Sequence, residues 1–166
     1  MYRTTDEHRR SGVKPWVALA VYAAAVLAAA VVGGQGAAGS GEVYQALELP
    51  SWAPPSWLFG PVWTVLYVFI ALAGWLVWRA SGLGGSRAFH VFYVLQLLLN
   101  ALWPPLFFAG NLYGAALLEL VLLVAAVAVT AVLAVRHSKV AALLLLPYLG
   151  WSVFAGCLNF AVWLAN

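Results

Sequence analysis

Residues 88–135 read AFHVFYVLQLLLNALWPPLFFAGNLYGAALLELVLLVAAVAVTAVLAV and contain a single Asp, Glu, Lys or Arg, Glu119. A helix needs about 20 apolar residues to cross roughly 30 Å of hydrocarbon at about 1.5 Å rise per residue. The stretch is too long for one crossing and long enough for two, and Gly110-Asn111 is the punctuation between them. The same criterion applied outward adds Trp16 to Gly34, Trp57 to Trp78 and Val140 to Leu164 to the hairpin Ala88 to Ala109 and Leu112 to Val135. The expected fold is all-α: a polytopic membrane bundle of five helices, one domain over residues 1–166, with a long first loop at 35–56. These spans leave no stretch for a separate water-soluble domain.

Composition agrees. Hydrophobic residues make up 65% of the chain and charged residues 8%, against roughly 25% charged in a soluble domain, and the mean hydropathy is +0.94. Lipid must cover what water cannot, which excludes a disordered chain, a disulfide scaffold and a nucleic-acid-binding domain. All eight basic residues fall on one side of the five-span arrangement: Arg3, Arg9, Arg10 and Lys14, then Arg79 and Arg87, then Arg136 and Lys139. The other side carries Glu42 and Glu48. The positive-inside rule then places the N-terminus in the cytoplasm and the first loop and C-terminus outside, with a bacterial cell membrane as the expected location.

The first span also has features of a signal peptide, with Arg9-Arg10 ahead of an apolar run. That run exceeds the roughly 7 to 15 residues of such a segment, so a retained span is expected. Ala20, Ala24 and Ala28 suggest a small-residue packing face on it.

The segment richest in chemistry is Tyr44 to Tyr67, YQALELPSWAPPSWLFGPVWTVLY. Pro50, Pro54 and Pro55 fix backbone angles and remove donors, giving a stiff loop able to cover a cavity. By composition alone, Trp52 and Trp57 fit better an interfacial aromatic belt at headgroup depth. Deeper, Phe59, Trp63 and Tyr67 share one helical face, as do Gln96, Asn100 and Trp103 on the third span and Trp151, Phe154, Ala155 and Leu158 on the fifth. Polar groups at such depth face a bundle interior or a cavity, and an aromatic-lined pocket with a few polar groups suits a flat, apolar ligand. Helix-to-helix hydrogen bonding by Gln96, Asn100 and Asn159 is the alternative reading.

Glu119, the one acid within a span, is a functional candidate or a structural group held by a donor. No metal motif or nucleophile constellation emerges, since His8, His90 and His137 are far apart in sequence. Cys157 reads as a small packing residue, and as the only cysteine it can form no internal disulfide.

The strings LPSWAPPSWLFGPVWTVLY, QLLLNALWPPLFF and PYLGWSVFAGCLNF, in this order, resemble the TspO/MBR family of tryptophan-rich sensory proteins and translocator proteins. The likeness runs from about Tyr44 to Asn166, and five spans match the family's five-helix bundle. The resemblance implies binding of porphyrins such as protoporphyrin IX, or a haem-pathway intermediate, and of isoquinoline or benzodiazepine-type ligands. Residues matching the family pocket are Trp63, Tyr67, Asn100, Trp103, Trp151, Ala155 and Leu158, and Tyr44, Trp52 and Pro54 match its lid. There are departures: Val43-Tyr44 stands for Trp-Tyr, Leu49-Pro50 for Lys-Pro, and Ala115 for an early aromatic in the fourth helix. Phe160 replaces the Tyr of the sterol-associated pattern and no basic residue follows it, so no dedicated sterol site is expected.

What the resemblance implies for function is a sensor or regulator of tetrapyrrole and stress metabolism, with porphyrin as ligand and no obligatory cofactor. An alternative is light- and oxygen-dependent porphyrin breakdown, with Trp63 or Trp151 as electron donor and no conventional catalytic residue. A third is transport of porphyrins or other small apolar ligands. The expected partners are the lipid bilayer and a flat apolar molecule, with no nucleic acid, and the resemblance is compatible with a homodimer.

Overall fold

The computed structural model describes residues 13–166. Five of its helices are long and apolar enough to cross a membrane, and the chain is an integral, multi-pass membrane protein. They are α1 (Pro15–Gly36), α3 (Phe59–Gly85), α4 (Arg87–Pro104), α5 (Tyr113–Val135) and α6 (Lys139–Ala165), with a short α2 (Ser40–Ala46) between the first two. Side-by-side packing runs α1 to α3, α3 to α6, α6 to α5, α5 to α4 and α4 back to α1, a closed ring. Successive crossings alternate in direction, so Lys14, Arg79, Arg87, Arg136 and Lys139 lie at one end of the ring, and α2 with Glu42 and Glu48 at the other. Arg3, His8, Arg9 and Arg10 lie outside the described residues.

The ring encloses a core in which Ile70, Ala73, Val77, Val127, Ala134, Leu145 and Tyr148 are buried. Lipid gives helices no hydrophobic reason to associate, so close backbone approach and interhelical hydrogen bonds decide which faces meet. At Gly74 the absence of a side chain admits two rings: a Cβ there would stand 2.6 Å from the Tyr22 ring and 2.8 Å from Tyr93. Tyr22 and Tyr93 meet edge to face with centroids 5.5 Å apart, Tyr22 hydrogen-bonds His90, and Tyr93 donates to the Ile70 carbonyl at 3.1 Å. Three helices are joined at that point.

Several expectations need correction. The inward face of α1 carries Ala18, Tyr22, Val26, Ala29 and Gly33, whereas Ala20, Ala24 and Ala28 face outward. The tyrosine that can reach His90 and the glycine that fits under Pro104 decide the orientation, not the alanine spacing. Cys157 faces outward and is not packed in the core. Most of residues 80–87, which fall between the expected spans Trp57 to Trp78 and Ala88 to Ala109, is helical; α3 runs to Gly85 with one break at Gly82, whose φ of 63° suits glycine. The first loop contains α2, which no apolar periodicity announced.

Pro104 and Pro105 do not stop their helix. Both keep right-handed helical angles, and the chain widens into a π turn over Pro105–Ala109, closed by the Gly110 N–H donating to the Pro105 carbonyl at 2.9 Å. A wider turn accommodates two residues that supply no N–H. The left-handed Asn111, φ 51°, then reverses the chain into α5.

A candidate ligand pocket

The two prolines thicken α4 at the end nearest α2, and α1 meets them with glycines. A Cβ on Gly36 would come within 2.5 Å of the Pro105 ring, and one on Gly33 would lie 3.5 Å from Pro104. Above and beside this contact α1, α3 and α4 stand apart around a cavity of about 290 Å³, close to the roughly 300 Å³ at which small-molecule pockets begin. Its aromatic walls are Phe59, Trp63 and Tyr67 from α3 and Trp103 and Phe108 from the α4 end, and Tyr44 of α2 closes it above. Asn100 is the amide in the wall, held from both sides: Tyr67 donates to its Oδ1 at 3.0 Å, and its Nδ2 donates to the Tyr148 hydroxyl at 3.3 Å. Trp103 is fixed by donating to Asn159 Oδ1 at 3.1 Å, while Asn159 donates to the Tyr113 carbonyl at 2.8 Å. The polar side chains therefore set aromatic planes, and the surface offered to a ligand is mostly π-face.

The mouth lies between α1 and α3. Gly34 and Gly60 both line the pocket, are exposed, and would have no atom within 4 Å of an added Cβ. Replacing Gly34 with Leu is expected to narrow this slot without disturbing helix packing. Ligand affinity should fall about tenfold while the melting temperature in detergent stays within a degree or two of the parent, a pairing that a titration and a melting curve on one preparation will check.

Tyr44 is buried and its hydroxyl donates to the Pro54 carbonyl at 2.9 Å. Burial pushes its phenol above the ordinary value of 10.0. A group whose value is raised on folding favours its neutral form in the fold, so the contact between Tyr44 and Pro54 is intact below pH 10 and weakens as pH climbs above it. Tyr44→Phe removes the hydrogen bond, worth about 1 kcal/mol. It should speed ligand release several-fold at neutral pH, measured by stopped-flow fluorescence. The loop is also pinned at Glu48, whose N–H donates to Asn166 Oδ1 at 3.1 Å.

The structure does not bring all the sequence candidates to one cavity. Phe59, Trp63, Tyr67, Asn100, Trp103 and Tyr44 share it. Trp151 and Phe154 instead border an outward groove between α3 and α6, and Trp151 meets Phe59 edge-on with centroids 5.8 Å apart. Trp52, 50% exposed, rests against Phe154 at 5.8 Å and so ties the loop to α6. Trp57 is 69% exposed, as an interfacial belt residue would be. Ala155 lines a small space behind Trp63 and Trp103 with room for about one water, and Leu158 packs with Tyr44 and Phe107 in a second apolar cluster. Gln96 turns away, its Nε2 donating to the Tyr93 carbonyl on its own helix at 2.9 Å. Glu119 is 5% exposed, faces neither cavity, and has no hydrogen-bond partner among the described residues.

Among the residues missed are Phe108, Gly34 and Gly60, which line the pocket, and two hydroxyl-bearing residues on α6. Tyr148 is fully buried and supports Asn100, and Ser152, 1% exposed, lines the small space behind Trp63 with its hydroxyl unpartnered among the described residues. The only sequence signal for either is its four-residue spacing from the other on the fifth span. No cluster of metal-ligating residues exists among the described residues.

Comparison with known proteins bears on this arrangement. The sequence pattern of the TspO/MBR family matches residues 16–164. The tryptophan-rich protein TspO of Archaeoglobus fulgidus is 46% identical over 123 residues, which cover 74% of this chain and 79% of that protein. The translocator protein of Homo sapiens is 42% identical over 125 residues, 74% of each chain. Protein CrtK of Rhodobacter capsulatus is 37% identical over 130 residues, 76% of this chain and 79% of its own.

Proposed function

The chain belongs to the TspO/MBR family, and from its pocket we propose that it is a membrane receptor for a flat apolar ligand of the porphyrin type, acting as a sensor of tetrapyrrole supply. The observation that carries this reading is the cavity between α1, α3 and α4, where Phe59, Trp63, Tyr67 and Trp103 surround one oriented amide, Asn100. Aromatic faces attract a flat π-system, and an amide fixes its rotation. A macrocycle larger than the cavity lies with one edge in the glycine slot between Gly34 and Gly60 and its carboxylates toward the α2 end. Smaller flat molecules of the isoquinoline type fit wholly inside. With the basic end of the ring in the cytoplasm, the lid of α2 and residues 47–55 faces the outside.

The test is a titration in the dark with protoporphyrin IX, following tryptophan fluorescence of the detergent-purified protein. Saturable quenching, reversed by an isoquinoline carboxamide, is expected. Linear, non-saturating quenching identical to that of free tryptophan would refute the reading.

A second reading, light- and oxygen-dependent breakdown of the bound porphyrin, is favoured by Trp63 lining the pocket beside Tyr67, ring centroids 5.4 Å apart. Here the excited porphyrin takes one electron from Trp63 and passes it to oxygen; the superoxide formed adds to the macrocycle, which returns one electron to the Trp63 radical, so that the net change is addition of oxygen to the porphyrin. Illumination should then give a defined product with the wild type and none with Trp63→Phe. A mixture identical to that of free porphyrin bleached in detergent would leave only the receptor reading.

A further inference from the structure

On the far side of the ring from the aromatic pocket, α5 and α6 leave a groove of about 420 Å³ open to the surroundings. Ala128 and Ala131 of α5 and Ala142 of α6 form its floor, and Val132, Leu143 and Leu146 its walls. Lys139 lines the groove at the basic end of the bundle, and Leu149 marks the other limit on α6. At about 1.5 Å per residue the groove runs roughly 15 Å along that helix, half of the roughly 30 Å hydrocarbon thickness. It therefore spans one leaflet.

We propose that this groove binds one anionic glycerophospholipid, an acyl chain lying along the alanine floor and the phosphate held by Lys139 and Arg136. The apolar part alone selects nothing, because lipid tails are as apolar as the walls. Selection comes from the end. Lys139 and Arg136 are exposed and separated by only two residues, so both heads reach the same headgroup layer while the lysine stem stays in the groove. The first turn of α6 holds no acid, and its positive dipole end adds to the field. The described acids lie elsewhere: Glu42 and Glu48 are at the opposite end, and Glu119 is buried. A basic groove between helices, one leaflet deep, has the charge and length of an anionic lipid, and it does not depend on what the aromatic pocket binds.

The test uses the full chain in detergent, titrated separately with phosphatidylglycerol and phosphatidylcholine of identical acyl chains, with bound lipid counted by native mass spectrometry. One phosphatidylglycerol should be retained with a preference of roughly 30-fold, about fivefold for each cation near the surface. Lys139→Gln should reduce the preference to about fivefold, and Lys139→Gln with Arg136→Gln should abolish it. Lys139→Arg should keep it, which separates loss of charge from loss of fold. Ala128→Leu fills the floor from a partly exposed position and should reduce retention of phosphatidylglycerol. Equal retention of the two lipids by the wild type would overturn the proposal. So would unchanged retention in Ala128→Leu, or a loss in Lys14→Gln as large as in Lys139→Gln, since Lys14 shares the basic end but not the groove.

Discussion

Replacing Trp63 with alanine is expected to weaken protoporphyrin IX binding by about 30-fold, the cost of roughly 2 kcal/mol that attends removal of a central aromatic anchor. Trp63 stands where the pocket and the small space behind it meet, in contact with Tyr67 at 5.4 Å and Tyr148 at 6.0 Å. Unlike Trp103, whose indole N–H is donated to Asn159, it makes no hydrogen bond among the described residues, so its loss removes a wall of the cavity without orphaning a buried partner. Trp63→Phe keeps a π-face and should lose only a few-fold. Trp163→Ala, on an exposed turn of α6, is the control expected to bind as the wild type does. Affinity unchanged in Trp63→Ala would remove the α1, α3, α4 cavity from consideration as the binding site.

Gly74→Val should have the largest effect on stability. A Cβ alone would press on the Tyr22 ring at 2.6 Å and on Tyr93 at 2.8 Å, and valine adds two methyl groups to the same space. Overpacking of this kind costs about 3 kcal/mol, more than the roughly 1 kcal/mol gained by removing glycine from a helix. The expected outcome is a melting temperature in detergent lowered by several degrees, with α1 the first helix to become accessible to proteolysis. Ligand affinity of the protein that remains folded should be nearly unchanged, because Gly74 lies toward the basic end and the pocket toward the other. A melting temperature equal to the wild type would show that Tyr22 and Tyr93 can swing aside and that this crossing is not tightly packed.

How far the sequence was readable follows from what membrane chemistry makes visible. Charge-free runs of about 20 residues read as helices, because a helix satisfies its backbone hydrogen bonds within the segment whereas a barrel strand crosses in about 10 residues, so the five crossings and the basic end were legible. Faces were legible where aromatic and polar residues recur at helical spacing: Phe59, Trp63 and Tyr67 do share a wall, and Asn100 and Trp103 face them. Where the signal was apolar spacing alone it misled. Ala20, Ala24 and Ala28 form a regular stripe that faces outward, because glycine and tyrosine contacts, not alanine spacing, set the rotation of α1. Periodicity also cannot say which neighbour a face meets. The ring order puts α6 beside α3, so Trp151 and Phe154 end in a groove on the outer side of α3 while Trp63 turns to its inner side. Tyr148 and Ser152 were missed because a hydroxyl among apolar residues looks the same in sequence whether it meets lipid or a neighbouring helix.

The most direct test of the account is the structure of the protein with protoporphyrin IX, determined in the dark. The macrocycle is expected against Trp63 and Trp103, with Asn100 beneath it and one edge emerging between Gly34 and Gly60. A macrocycle found instead in the groove between α3 and α6, against Trp151 and Phe154, would contradict it.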